Sequence, residues 1–137
     1  MAALTNDRDT HKRIGAMYQD PVSGGARIFA GAMVVLDASG NAKPAHVATG
    51  LTPRGMALKE VDNRLGAAGD MVVDIESGIF ALKTDASISR TDIGHKAYFL
   101  DDQTVAATDG SGTRSEAGII KDVEGAGYDA IAWVQVG

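Results

Sequence analysis

An internal repeat is the feature that most constrains how this chain of 137 residues can fold. Residues 31–78 and 94–137 show the same order of glycine, apolar runs and turn-forming aspartate. In each copy a glycine precedes a short apolar run that ends in an aspartate, Asp37 or Asp101, and two further apolar runs follow. The spacings within the two copies agree to within a few residues, a difference that loops absorb at little cost. The repeat therefore predicts two copies of one small β unit.

Neither copy is long enough to form a stable domain alone, because a chain of about 45 residues buries too little of its surface. Two such units are expected to pack around one shared core. We therefore predict a mainly β protein with a single compact β-sandwich or barrel, formed by residues 31–137. The 17 glycines and the aromatic content of 5% indicate many tight turns and a core of small aliphatic side chains. Four aromatic residues at strand positions are predicted to lie in that core: Phe80, Tyr98, Phe99 and Trp133.

Local signals predict the elements around the two copies. Residues 32–47 form a predicted hairpin, and Pro44 places its second strand at the edge of a sheet. The spacing of Ser89 and Asp92 matches a helix capping box. Because Gly94 can end a helix, one short helical turn is expected before the second copy.

Residues 1–30 lie outside the duplication and are predicted to form an extended N-terminal arm. The pairs Asp20-Pro21 and Gly24-Gly25 disfavour a helix in this segment. The arm has a net charge of +1, whereas the rest of the chain has −6. Such an arm is suited to attachment to a neighbouring acidic surface. The candidate contact residues within it are His11, Lys12, Arg13, Tyr18 and Arg27.

Composition argues against several classes of function. The net charge of −5 opposes general binding to nucleic acid, which needs clustered lysine and arginine. The longest uncharged apolar run, residues 28–36, is far shorter than the ~20 residues of a membrane-spanning helix. The N-terminal residues lack the apolar stretch of a secretory signal, so we expect synthesis and retention in a cytoplasm. With no cysteine, disulfides and thiolate metal sites are excluded.

No arrangement of polar residues in the sequence predicts catalysis or a bound cofactor. The adjacent Asp101 and Asp102 lie at a strand end, where successive side chains point in different directions. Residues 109–114 match neither a phosphate-binding loop nor a nucleophile elbow, and they are predicted to form a flexible hairpin loop. The histidines do not have the spacing of metal ligands: His11, His46 and His95. We therefore predict no catalytic, cofactor-binding or metal-binding residues.

Four segments of the second copy carry a family resemblance. They are Asp101 to Ala106, Gly112 to Arg114, Ala117 to Ile120, and Trp133-Val134. Together they resemble the capsid cement or head decoration proteins of tailed bacteriophages and prophages. Residues 31–35 and 54–57 of the first copy are similar to the same family, so the likeness spans about residues 28–137. One departure is segment 128–132, which is longer than the short glycine turn expected before the tryptophan.

The resemblance implies a non-enzymatic, β-rich structural protein on the outer surface of the phage head. Such proteins commonly form trimers at local threefold positions and clamp neighbouring capsomers. The implied partners are therefore the major capsid protein and, in a homotrimer, further copies of the chain itself. The implied location is the virion, after synthesis in the cytoplasm of the bacterial host. The resemblance carries over no catalytic residue, no cofactor, and no direct contact with nucleic acid or membrane.

Other classes of function stay open at this point. A tail or head-completion subunit of a phage would share the structural role but occur at low copy number. A small ligand- or glycan-binding β module would need a concave aromatic or polar face, which the low aromatic content disfavours. An enzyme that uses Asp101, Asp102 or His95 is the least favoured alternative.

Overall fold

A computed structural model describes residues 5–6 and 17–137, and it consists mainly of short β-strands. The strands of the described residues are β1 (Met17–Pro21), β2 (Arg27–Ile28), β3 (Met33–Leu36), β4 (Ala42–Pro44), β5 (Thr52–Ala57), β6 (Val61–Asp62), β7 (Val72–Glu76), β8 (Gly78–Thr84), β9 (Lys96–Phe99), β10 (Thr104–Ala106), β11 (Glu116–Glu124) and β12 (Ile131–Val136). Single turns of 3-10 helix lie at Arg90–Asp92 and Gly127–Asp129. These elements confirm the predicted mainly β fold and the short helical turn before the second copy.

The strands form two five-stranded units and one small ribbon. In the first unit the order is β1–β7–β5–β3–β4. The second unit is a closed barrel, because β10 pairs with β9 on one side and, in parallel, with β8 on the other. The ribbon consists of β2 and β6, which pair with each other. Each half of the chain therefore has its own sheet.

The two units share one topology and one register. Strands β1, β7, β5, β3 and β4 of the first unit correspond in order to β8, β12, β11, β9 and β10 of the second. Val105 pairs in parallel with Thr84 where the barrel closes, and a single parallel bridge between Ala42 and Val22 takes the same place in the first unit. The duplication is thus confirmed, and each unit begins one strand earlier than the sequence repeat indicates.

The predicted arm of residues 1–30 is wrong from residue 17 onward. β1 pairs with β7 along its whole length, and β2 pairs with β6. Val22 and Ile28 are fully buried in the core of the first unit. The sequence pattern did not predict β1, because the residues of this strand that face inward, Tyr18 and Asp20, are polar. The alternate residues face outward, so no apolar alternation marks the strand.

Strand β3 links the hydrophobic cores of the two units. Val34 belongs to the core of the first unit, together with Val73. Met33 and Val35 point the other way and belong to the core of the barrel, where Phe99 is fully buried. The two units therefore pack into one body, but each has a core of its own, whereas the repeat predicted one shared core.

Corresponding turns in the two units are fixed by the predicted aspartates. The Asp37 carboxylate accepts hydrogen bonds from the backbone N–H groups of Asn41 at 3.0 Å and Ser39 at 2.9 Å. These bonds, chiefly the one from Asn41, lower the pKa of Asp37. In the second unit the Asp101 carboxylate accepts a hydrogen bond from the backbone N–H of Gln103 at 2.8 Å. Both aspartates thus act as turn residues.

Two equivalent glycines allow neighbouring strands to approach closely. Gly118 of β11 has φ of +153°, and a Cβ there would overlap the carbonyl oxygen of Gln135 on β12. Gly55 of β5 has φ of +142° and the same relation to Glu76 on β7. Each glycine lies beside a register shift between strands, so the same bulge occurs in both units.

We expect Gly118→Ala to lower the free energy of unfolding by about 2–4 kcal/mol, because a Cβ there has no room and the backbone angle is strained. Gly78→Ala is the matched control, since Gly78 lies on β8, has no positive φ, and its Cβ would make only ordinary contact with Phe80. Urea unfolding followed by circular dichroism measures both variants. Equal unfolding midpoints for the two would contradict the close approach.

Candidate interaction surfaces

The structure describes two of the five predicted contact residues, Tyr18 and Arg27. The other three lie outside the described residues: His11, Lys12 and Arg13. The Arg27 guanidinium lies 4.6 Å from the centroid of the Phe29 ring. Its Nε donates a hydrogen bond to Glu60 Oε1 at 2.8 Å. Arg27 is therefore only partly exposed, and Glu60 balances its charge within the chain.

Tyr18 belongs to a cluster that fastens β1 to β5. The Arg54 guanidinium lies 3.7 Å from the centroid of the Tyr18 ring. It also donates two hydrogen bonds to the Asp20 carboxylate, at 2.7 and 3.1 Å, which raises the pKa of Arg54. Asp20 is only 8% exposed, and a carboxylate so far from water needs a partner. The Tyr18 side chain is thus used within the fold.

We expect Arg54→Met to lower the free energy of unfolding by about 2–3 kcal/mol, because it leaves the buried Asp20 carboxylate without its partner. Arg64→Met is the matched control, since it breaks an exposed Arg–Asp pair with Asp62 and should cost clearly less. Guanidinium unfolding of both variants at pH 7 tests this difference. A smaller loss for Arg54→Met than for Arg64→Met would contradict the assignment.

The loop between β6 and β7 carries a fully exposed leucine, Leu65. The buried Asn63 side chain donates hydrogen bonds to three backbone carbonyl groups, at 2.9–3.2 Å, and so holds the loop in place. The Arg64 guanidinium donates two more to the Asp62 carboxylate, at 2.9 and 2.7 Å. A leucine between arginine and glycine in a loop has no core to enter. Leu65 is therefore an exposed apolar side chain on a loop whose backbone is held by hydrogen bonds.

The Asp62–Arg64 pair predicts a pH dependence for this loop. Hydrogen bonds from the guanidinium and the backbone N–H of Arg64 lower the pKa of Asp62 to about 2. An unperturbed aspartate titrates near ~3.9, so the pairing should stabilise the fold above that pH and be lost as the pH falls toward 2. Titration of the carboxyl carbon by NMR should give a midpoint near 2, and a higher one in Arg64→Met, which loses the guanidinium bonds but keeps the backbone N–H bond. An unshifted midpoint in the unaltered protein would contradict the pairing.

Trp133 lies on the outer face of the barrel between an apolar neighbour on β8 and the exposed Asp122 on β11. Ala132 and Val134 of β12 are fully buried, so Trp133 between them points outward and is only partly buried. Its direct neighbour on β8 is Ala81, which is exposed. The indole N–H makes no hydrogen bond within the described part of the chain. We call this surface the Trp133 face; it comprises Ile79, Ala81 and Lys83 of β8, Ile131 and Trp133 of β12, and Ile119, Lys121, Asp122 and Glu124 of β11.

The core prediction for the four aromatic residues is correct only in part. Phe99 is fully buried, and Phe80 packs against the barrel core. Trp133 and Tyr98 lie at the alternate, outward positions of their strands and are partly exposed. Successive side chains of a strand point to opposite faces, so a core position for the small Ala132 puts its neighbour Trp133 on the surface. That alternation was the signal that could have placed Trp133 correctly.

The polar candidates for chemistry are used in turns or stand apart. Asp101 is exposed, whereas the pKa of its neighbour Asp102 is raised because Asp102 is partly buried and lies near that charge. Residues 109–114 form a closed turn rather than a flexible loop, because the N–H groups of its last two residues donate to the Asp109 carbonyl at 3.0 Å. Within residues 5–6 and 17–137, no three histidine, aspartate or glutamate side chains group as metal ligands would.

One open cleft lies between residues 23–26 and residues 43–46. Its volume is about 400 Å³, and Lys43 and His46 are among the residues that line it. None of the helical turns in the described residues could span a bilayer. The chain matches no protein-family model, no curated protein and no solved structure.

Proposed function

We propose that this protein is a non-enzymatic structural protein of a tailed-bacteriophage head. It decorates the outside of the shell and stabilises the contacts between capsomers of the major capsid protein. The observation that carries the proposal is that one rigid β body presents separate apolar surfaces to solvent, at Leu65 and at the Trp133 face. A protein that bridges two neighbouring subunits needs at least two such surfaces on one rigid fold.

The frame meets the mechanical requirement of this role. β3 is shared between two cores, so the units cannot separate without exposing Met33 and Val35 to water. Asn63 fixes the loop that carries Leu65, so little conformational freedom is lost when that side chain is covered. Each contact is small, but icosahedral symmetry repeats it many times over the shell, and repeated contacts multiply in effect.

The segments that resemble the decoration family belong to the barrel. Asp101 to Ala106 form the turn and strand β10, Ala117 to Ile120 lie in β11, and Trp133-Val134 lie in β12. They are therefore framework and surface residues, as expected of a family whose work is contact rather than catalysis. The homotrimer and the attachment through His11, Lys12 and Arg13 are parts of the same proposal.

The test is the copy number of this chain relative to the major capsid protein in purified phage particles, measured by quantitative mass spectrometry. Decoration of the whole shell predicts a ratio close to one. The tail or head-completion alternative predicts a ratio of a few per cent. Absence from particles would overturn the proposal and favour a ligand- or glycan-binding module, for which the cleft beside Lys43 and His46 is the first place to look.

A further inference from the structure

We propose that the Trp133 face is a contact between two copies of this chain, related by a twofold axis that runs parallel to β12. The contact itself can be tested on the isolated protein. Its role on the phage head, where it would tie neighbouring decoration subunits together, rests on the proposed function.

The Trp133 face has apolar residues along β12 and β8, and charged residues on both flanks; of these, Asp122 already pairs with Arg90. Ile131 of β12 lies directly between Lys83 of β8 and Glu124 of β11 in the strand pairing. Both charged residues are exposed, and neither forms an ion pair with any other residue that the structure describes. At the level of Ile131 the face therefore offers an unpaired positive charge on the β8 side and an unpaired negative charge on the β11 side.

In the first unit the equivalent positions of this face hold a polar pair. Because the register is shared, Gln19 and Asp74 of the first unit occupy the places of Ala81 and Trp133. The Gln19 amide donates a hydrogen bond to the Asp74 carboxylate at 3.0 Å, and this polar pair needs no cover. At identical backbone positions the barrel has alanine and tryptophan instead. Tryptophan is among the residues most enriched at the energetic centres of protein interfaces.

The arrangement of charges selects a second copy as the occupant. A twofold axis along β12 exchanges the β8 side of the face with the β11 side. Lys83 then meets Glu124 of the partner subunit, the reciprocal pair forms by symmetry, and Ile79 meets Ile119 of the partner subunit. The strands of the two sheets remain aligned, which is the common geometry of sheets packed about 10 Å apart. Trp133 lies next to the axis, at the centre.

The size of the face predicts a weak contact in solution. A stable interface covers about 800 Å² on each partner, and a patch three strands wide lies at or below that size. On an icosahedral shell, subunits at neighbouring local threefold positions are related by local twofold axes. Shell binding would hold the two faces close together and so raise their effective concentration.

Charge exchange tests the contact on the purified full chain by sedimentation velocity over a range of concentrations. The wild type should show a species of twice the starting mass that grows with concentration and weakens with salt. Lys83→Glu and Glu124→Lys should each reduce the association constant about tenfold or more, because like charges then face each other. The double variant should recover it. Lys59→Glu, an exposed lysine of the first unit, is the control and should associate as wild type.

Cross-linking supplies a second readout that does not depend on charge. The chain has no cysteine, so Gln135→Cys, at an exposed position on β12 two residues beyond Trp133, gives a single thiol near the axis. A short bismaleimide should link two copies through it, whereas Lys59→Cys should give no such link. Absence of association, unchanged association in both single variants, or failure of the double variant to recover would each overturn the proposal. Since no phage particle is involved, these results are independent of the copy-number test.

Discussion

The burial of β3 on both of its faces is the constraint on which the architecture depends. Met33, Val34 and Val35 are all buried, although alternate residues of a strand point in opposite directions. In a sheet with one solvated face the residues would alternate between apolar and polar, so the unbroken apolar run is the sequence mark of a strand between two cores. The equivalent strand β9 has Lys96 and Tyr98 where β3 has Met33 and Val35. The corresponding face of the second unit is therefore polar.

The sequence predicted the frame better than the surfaces. Glycine, aspartate and apolar runs mark turns and buried strands, and those signals are local, so the repeat and the hairpin around Asp37 could be predicted. β1 could not, because its inward aspartate is acceptable only when Arg54, more than thirty residues away, neutralises it. The outward direction of Trp133 could be predicted from strand alternation, but its neighbours depend on pairing with β8 and β11, which the local pattern does not encode. Residues that bind partners are under no requirement to fit a local pattern, so they are the ones that sequence reasoning misses.

Arginine serves several different purposes in this acidic chain. Arg54 neutralises a buried carboxylate and joins β1 to β5. Arg64 acts at the surface, where it braces the loop that carries Leu65 by holding Asp62. Arg90 pairs with Asp122 on the outside of the barrel, at 3.2 Å, and fastens the 3-10 turn to β11. Lys83 and Glu124, in contrast, form no ion pair within the described residues, and the same is true of Lys59 and Lys121.

Duplication gives this protein an internal control for separating framework from function. Positions that hold the fold have kept their character in both units, as Gly55 and Gly118 show at the same bulge. Positions that face outward have diverged, as Gln19 and Asp74 in one unit and Ala81 and Trp133 in the other show. The backbone geometry is common to both pairs, so the backbone does not require a tryptophan at this position. Trp133 is only partly buried, and together with Lys83 and Glu124 it forms the face that we propose to contact another copy of the chain.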